Sequence, residues 1–360
     1  MTSKTTKHSL ARPGKQLGVL PARICGLFLL LLPFGDTLFA QGFQFDSGFP
    51  LEVMHVSIIG SDEEFTILLD SDMGHDGFVY LVDMYNYQIV AVDPAGEIAW
   101  RSGGQGQGPG EFRTPYRISA APDGTVYVFD RFGSAISRFS RQGEFIDRRQ
   151  VDFSFESVDG FVVHADDRIA ISGTTSYGVP SDSAVHVFGP DFRHLRSFAP
   201  LPTAENRMVL SYHGAGPITL AADGNLIYVR RLPYDIYHYS VDGERLATFE
   251  GPFKYDVTAD DLITVEERAG GLTISRPHVE RPFFQPAVLL SDSSFVVDRR
   301  EGEHRYWDLY TTSGGYVAST SVPEDWGVLV GYDKDRGVLW ATGEHLLKPV
   351  LRRIQVSVRR

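Results

Sequence analysis

Arginine and tyrosine recur at the ends of short apolar runs in this 360-residue chain: Arg113, Tyr116 and Arg117 in "FRTPYR", Arg131 in "DRFG", Arg230, Arg231 and Tyr234 in "RRLPY", and Arg299 and Arg300 in "DRREGEHRY". Guanidinium groups bind carboxylate, sulfate and phosphate oxygens through paired N–H donors. If these side chains converge, they form a basic, aromatic-lined funnel for an anionic or glycan ligand or a protein partner. The competing reading is that each arginine pairs with a neighbouring carboxylate, such as Asp130 or Asp298, and staples adjacent elements together. Both readings rest on the same residues, and the sequence leaves them open.

Catalytic chemistry has fewer carriers. His213 in "SYHGAG" and His278 in "RPHVERPFFQ", with Arg281 beside the latter, are candidates for the same mouth. His164 and His186 alternate with apolar neighbours and read as packed strand residues. The stretch "DSDMGHDG" offers Asp70, Asp72, His75 and Asp76, but a calcium loop would want an acidic residue at Gly74 and a glutamate at Leu81. It reads as a hairpin turn. There is no G-x-S-x-G elbow, H-E-x-x-H pair or P-loop lysine. The expectation is therefore no catalytic residue set, no metal and no cofactor.

The elements that must position these side chains are short runs rich in Val, Ile, Tyr and Phe, alternating apolar with polar and separated by Gly, Asp and Pro. Such runs are strands with tight turns. One unit recurs: "HDGFVYLVD" at Asp76, "PDGTVYVFD" at Asp123, "ADDRIAIS" at Asp167, "ADGNLIYV" at Asp223, "SDSSFVVD" at Asp292 and "KDRGVLWA" at Asp335, at intervals of 47, 44, 56, 69 and 43 residues. A propeller blade of four strands needs roughly 40 to 50 residues. Six copies predict an all-β, six-bladed propeller with four-stranded antiparallel blades. In the first blade the strands read "FTILLD", "FVYLVD", "QIVAVD" and "EIAWRS".

The last copy supplies only three strands, whereas "LEVMHVSIIG" (Leu51 to Gly60) precedes the first blade without a partner. Pairing of that N-terminal strand with the C-terminal blade would close the ring and leave no open sheet edge. An insertion, residues 252–285 between blades four and five, contains "TADDLITVEERAGG", where Thr258 and Asp261 suggest a capped helix start and Gly270-Gly271 a stop. A helix over the ligand face is expected there.

The run "GQGQGPGEFRTPYRISAAPDGTVYVFDRFGSAISRFSRQGEF" resembles the six-bladed β-propeller proteins related to NHL repeats, in particular secreted bacterial members. The resemblance covers residues from about 43 to 360 and is most specific in the first two blades. It implies a propeller and an exported protein; relatives of this class include lyases, lactonases and non-catalytic protein or glycan binders, so the fold alone sets only a prior on function. NHL-type lyases hold zinc on channel histidines, and no three histidines stand at matching blade positions here. A non-catalytic binding role is the leading expectation, with an NHL-type lyase, hydrolase or lactonase as the alternative.

Compartment and charge agree with that. Lys4, Lys7, Arg12, Lys15 and Arg23 precede the apolar run "ICGLFLLLLPF", Ile24 to Phe34. This pattern is that of a signal peptide, too short for a span of roughly 20 apolar residues. Residues 1–40 are read as the signal peptide, with cleavage after Ala40, and 41–360 as the propeller. Leaving out the five Lys/Arg and one Asp of residues 1–40 gives 29 basic and 45 acidic side chains, a formal charge of −16, and removes the only cysteine, Cys25. Such a chain is poorly suited to nucleic acid. A secreted or periplasmic monomer without membrane insertion is expected.

The glycine-rich stretch "GGQGQGPGEFRTP" (Gly103 to Pro115) is followed by a strand, whereas a phosphate loop needs a helix N-terminus. It reads as the corner joining blades one and two, with Phe112 and Pro115 pinning it.

Overall fold

The computed structural model describes residues 43–359, less 61–64, 153, 177–181, 203–209, 211–214, 232–233, 250, 252–263, 269–270, 276–281 and 346. The expected signal peptide lies outside the described residues. Everything below belongs to the compact unit Asp36–Arg360.

The chain opens with β1 (Leu51–Ile59) and then lays down six antiparallel sheets. Blade one is β2 (Leu68–Met73), β3 (Val79–Asp83), β4 (Gln88–Val92) and β5 (Ile98–Gly103); blade two is β6 (Pro115–Ala120), β7 (Val126–Asp130), β8 (Ala135–Phe139) and β9 (Phe145–Gln150). Blade three is β10 (Phe155–Val163), β11 (Ile169–Thr175), β12 (Ser183–Phe188) and β13 (His194–Pro200); blade four is β14 (Ile218–Leu220), β15 (Leu226–Arg230), β16 (Asp235–Tyr239) and β17 (Arg245–Phe249). A hairpin, β18 (Thr264–Arg268) with β19 (Gly271–Ser275), precedes blade five, which is β20 (Pro282–Ser291), β21 (Ser294–Glu301), β22 (His304–Thr311) and β23 (Tyr316–Val322). Blade six is β24 (Val328–Asp333), β25 (Val338–His345) and β26 (Lys348–Val358), completed by β1 in the order β1-β26-β25-β24.

The architecture is therefore the expected all-β six-bladed propeller. Ring closure is also as expected: β1 is the outer strand of blade six and pairs with β26 from Leu51 opposite Val358 to Ile59 opposite Leu351. The second strands of blades one and two are apolar up to their final Asp because both sheet faces are covered; Val79 to Asp83 and Val126 to Asp130 are buried at every position. Apolar layers form between blades: Val82 and Ile89 of blade one pack with Ile118, Val128 and Phe139 of blade two.

Two local expectations are corrected. The insertion carries the hairpin β18–β19 in place of a helix, with Thr264 opposite Ser275 and Arg268 opposite Gly271. Thr264, Val265, Thr273 and Ile274 are β-branched, and that favours strands. Of the two glycines taken as a helix stop, Gly271 opens β19, and Gly270 lies outside the described residues. Thr258 and Asp261 lie outside the described residues. In blade one the inner strand is "LLDSDM", not "FTILLD", so Asp70 and Asp72 belong to the strand and not to a turn.

The glycine-rich segment is a corner, as read. Gly103 has φ +126°, and a Cβ there would sit 2.4 Å from the Tyr87 carbonyl oxygen. Phe112 is fully buried and packs on Phe139 at 5.7 Å between ring centroids.

Candidate functional site

The second strands of blades one and two end on buried aspartates, and that of blade five contains one, and these organise the blade corners. Asp83 accepts N–H bonds from Thr66 and Ile67, and Asp130 accepts them from Arg113 at 2.8 Å and Thr114 at 3.1 Å. Asp298 accepts one from Leu329 at 3.2 Å. In these three blades a carboxylate thus satisfies backbone donors of the corner that no ladder pairs. That is why the repeat motif ends in Asp.

The sequence-predicted arginines sit at this same end of the sheets, and most are engaged by neighbours. Arg231 binds Asp159, linking blades four and three. Arg230 pairs with Asp235 and lies 5.1 Å over Tyr237. Arg299 is buried between Asp308 and Glu301, both at 2.6 Å. Arg300 reaches Glu324 at 3.2 Å. Arg117 donates to the Val158 carbonyl at 2.7 Å, and Arg131 donates to that of Glu156 at 2.9 Å. Both also face the Tyr116 ring, at 4.4 and 5.1 Å. Arg113 is exposed.

Tyr234, expected at the mouth, is buried instead. It stacks on Phe284 at 3.9 Å and shares a 2.8 Å hydroxyl contact with Tyr310, as part of the layer between blades four and five. Among the described candidates, Arg117 and Arg131 gather around the Tyr116 ring. His213, His278 and Arg281 lie outside the described residues.

A cavity of about 580 Å³ opens at the opposite end of the channel, where the first strand of each blade turns into the second. All six blades line it, from Asp72 to Gly77 in blade one round to Val330 to Asp335 in blade six. Met73, Val162, Leu220 and Val330 supply apolar wall; Asp72, Ser119 and Thr219 supply polar groups. Gly331 is required for the inner strands to approach: a Cβ there would sit 2.7 Å from the Met73 Cβ. Among the described residues, none of the arginine and tyrosine candidates read from the sequence lines this cavity.

Sequence reasoning missed the cavity's inner-strand acid, Asp72, and its neighbour Asp70. Asp70 and Asp72 lie two apart on β2 and so share one face. Asp70 Oδ2 accepts the Ile118 N–H at 2.9 Å; Asp72 Oδ2 accepts that of Ala120 at 2.8 Å, and its Oδ1 that of Met73 at 2.9 Å. They tie the inner strands of blades one and two together; both are half-buried, and Asp72 lines the cavity. Burial pushes both acids up, Asp72 to about 6. The alternation D-x-D in an inner strand was the available signal.

His164 is corrected too. It lies in the turn after β10, lines the cavity, and binds Asp166 through Nδ1 at 2.7 Å. His186 is fully buried, as expected for a packed strand residue, and burial beside His194 lowers it to about 4.

Asp72 and His186 give opposite pH dependence. Between about pH 4 and 6 the folded state holds a proton on Asp72 that the unfolded chain lacks, so this group's stabilisation is lost as pH rises through that window. Between about pH 4 and 6.5 the unfolded chain holds a proton that buried His186 lacks, so stability is lost as pH falls. The two slopes oppose each other. Asp72→Asn should therefore steepen acid destabilisation by about 1.4 kcal/mol per pH unit, measured by urea unfolding from pH 4.5 to 6; an unchanged slope would refute the assignment.

No family model matches the chain, and no curated protein matches it. Solved structures do. A putative exported protein from Bacteroides fragilis is 11% identical, covers 87% of this chain and 97% of its own, with TM-score 0.56. A member of the DUF4221 family from Bacteroides vulgatus is 10% identical, with coverage of 86% and 99% and TM-score 0.54. A catalytically inactive virginiamycin B lyase from Staphylococcus aureus, solved with quinupristin, is 12% identical, with coverage of 84% and 99% and TM-score 0.52. At these identities the likeness is one of fold. The chain is a six-bladed β-propeller whose solved neighbours include a putative exported bacterial protein and a lyase.

Proposed function

We propose that this chain is an exported, non-catalytic binding propeller that holds a small ligand in the channel mouth formed by the first turns of the blades. The cavity carries this reading. Its volume of about 580 Å³ lies within the range of small-molecule sites, and it has their composition: apolar walls with few polar groups. The basic and apolar N-terminal stretch supports export.

The test is native mass spectrometry of the exported protein beside a Thr219→Trp variant. Thr219 lines the cavity from β14 and belongs to none of the core clusters, so an indole there fills the cavity without displacing the core. The wild type is expected to carry a small-molecule mass that the variant loses while melting within a few degrees of the wild type. Equal retention by both would refute the site.

One observation favours an enzyme as the second reading. Asp72, held at about 6 within the cavity, is matched to proton transfer near neutral pH. A lyase or hydrolase would convert the retained compound during incubation, whereas a binder releases it with its mass unchanged.

A further inference from the structure

The cavity contains one deep carboxylate with no cation set against it. Asp72 is held only by the amides of Ala120 and Met73, at 2.8 and 2.9 Å, and by Ser119. Of the other charged groups at the mouth, Asp292 pairs with Lys334 at 3.2 Å, Asp333 with Arg336 at 2.7 Å and His164 with Asp166 at 2.7 Å, while Asp335 adds a further acid at the rim. Asp70, two residues earlier on β2, is countered by Arg117 and does not line the cavity, so Asp72 is the inner-strand acid without a cation. A carboxylate oxygen accepts about two hydrogen bonds, so Asp72 retains acceptor capacity beyond its two amides. Burial without a countercharge disfavours its ionised form.

We propose, resting on the channel-mouth reading above, that the ligand is a compact organic cation: an ammonium group seated on Asp72 with an apolar body against Met73, Val162, Leu220 and Val330. Such a ligand supplies the charge that the site lacks and covers the apolar wall in one step. An oxyanion in the same place would face Asp72, and the lysine among the lining residues, Lys334, is bound to Asp292. A metal ion is disfavoured on the same geometry, because among the described residues no three His, Cys, Asp or Glu side chains converge.

The experiment compares three probes of one shape by calorimetry on the folded full-length mature protein: benzylammonium, benzyl alcohol and benzoate. Wild type is expected to bind benzylammonium at least tenfold more tightly than benzyl alcohol and to reject benzoate. Asp72→Asn is expected to lose the ammonium preference and to leave the alcohol unchanged; Thr219→Trp should weaken all three. If the alcohol or benzoate binds wild type as well as the ammonium does, the cation inference is overturned, while sensitivity to Thr219→Trp keeps the cavity reading. If no probe binds wild type at millimolar concentration, both are overturned. The wild-type comparison decides the matter even if Asp72→Asn does not fold.

Discussion

Deleting residues 350–360 is expected to abolish folding. These residues form most of β26, which lies inside blade six between β25 and β1. Its side chains Val350, Leu351, Ile354 and Val356 are buried, as is Arg352, which reaches Asp325 at 3.0 Å. Without β26, β25 becomes an open edge and β1 loses its only sheet neighbour among the described strands. The loss spreads further, because β1 belongs to the same apolar layer as Phe45, Phe49, Trp307 and Trp326, which joins blades five and six. Arg359 adds bonds to the carbonyls of Phe45 and Asp46. Both ends of the chain therefore hold one blade, and neither half of the staple stands alone. The truncated protein should be insoluble or lack a cooperative urea transition. A soluble product with wild-type cooperativity would show that the ring holds without its closing strand. Ile354→Ala is a graded version: it should cost about 2–5 kcal/mol, as a large-to-small change in a full core.

Much of this was legible in the sequence because a propeller repeats its chemistry. The six Asp-containing turns mark the same point in every blade, and the aspartates closing "VYLVD", "VYVFD" and "VVD" recur because each must accept corner N–H groups. The unpaired β1 pattern and the three-strand last copy then left one arrangement for closure. The site was less legible for a physical reason. Every blade packs on both faces, so alternation in a strand does not distinguish a channel-facing position from an interblade one. Arg231 and Arg299 therefore read like ligand contacts although Asp159 and Asp308 hold them. Asp72 read like part of a turn although it faces the channel. The partners of a charged side chain come from other blades, far away in sequence, and local patterning does not encode them. The β18–β19 hairpin was missed differently: a plausible cap and a glycine pair outweighed four β-branched residues.

The second large effect concerns charge buried inside blade five. Asp308 is fully buried and accepts from Arg299 Nε at 2.6 Å, from the same guanidinium at 3.2 Å and from the Ser319 hydroxyl at 2.6 Å. Arg299 is itself 1% exposed and lies 4.5 Å over the Tyr306 ring. Two charges so placed have lost their hydration, and their mutual contact offsets that cost. Asp308→Ala removes one partner and leaves the other enclosed, with Glu301 still beside it. The expected loss is about 3–5 kcal/mol, read as a lower urea midpoint with an unchanged slope.

The surface pair on the next residue is the contrast. Arg300 and Glu324 are 3.2 Å apart, with side chains 49% and 56% exposed, so Arg300→Ala should cost less than about 1 kcal/mol. The double variant Arg299→Met/Asp308→Leu replaces both charges by apolar groups of similar size and should recover most of the loss, because no unpaired charge remains. If Asp308→Ala melts like Arg300→Ala, the buried pair contributes nothing beyond an exposed one, and Arg299 must find water or another partner. If instead the double variant is as unstable as the single one, the hydrogen bonds of this network, Ser319 included, matter more than its charge balance. The arginine that the sequence offered as a ligand contact is thus expected to act on folding: its loss should move the melting transition and leave cavity binding untouched.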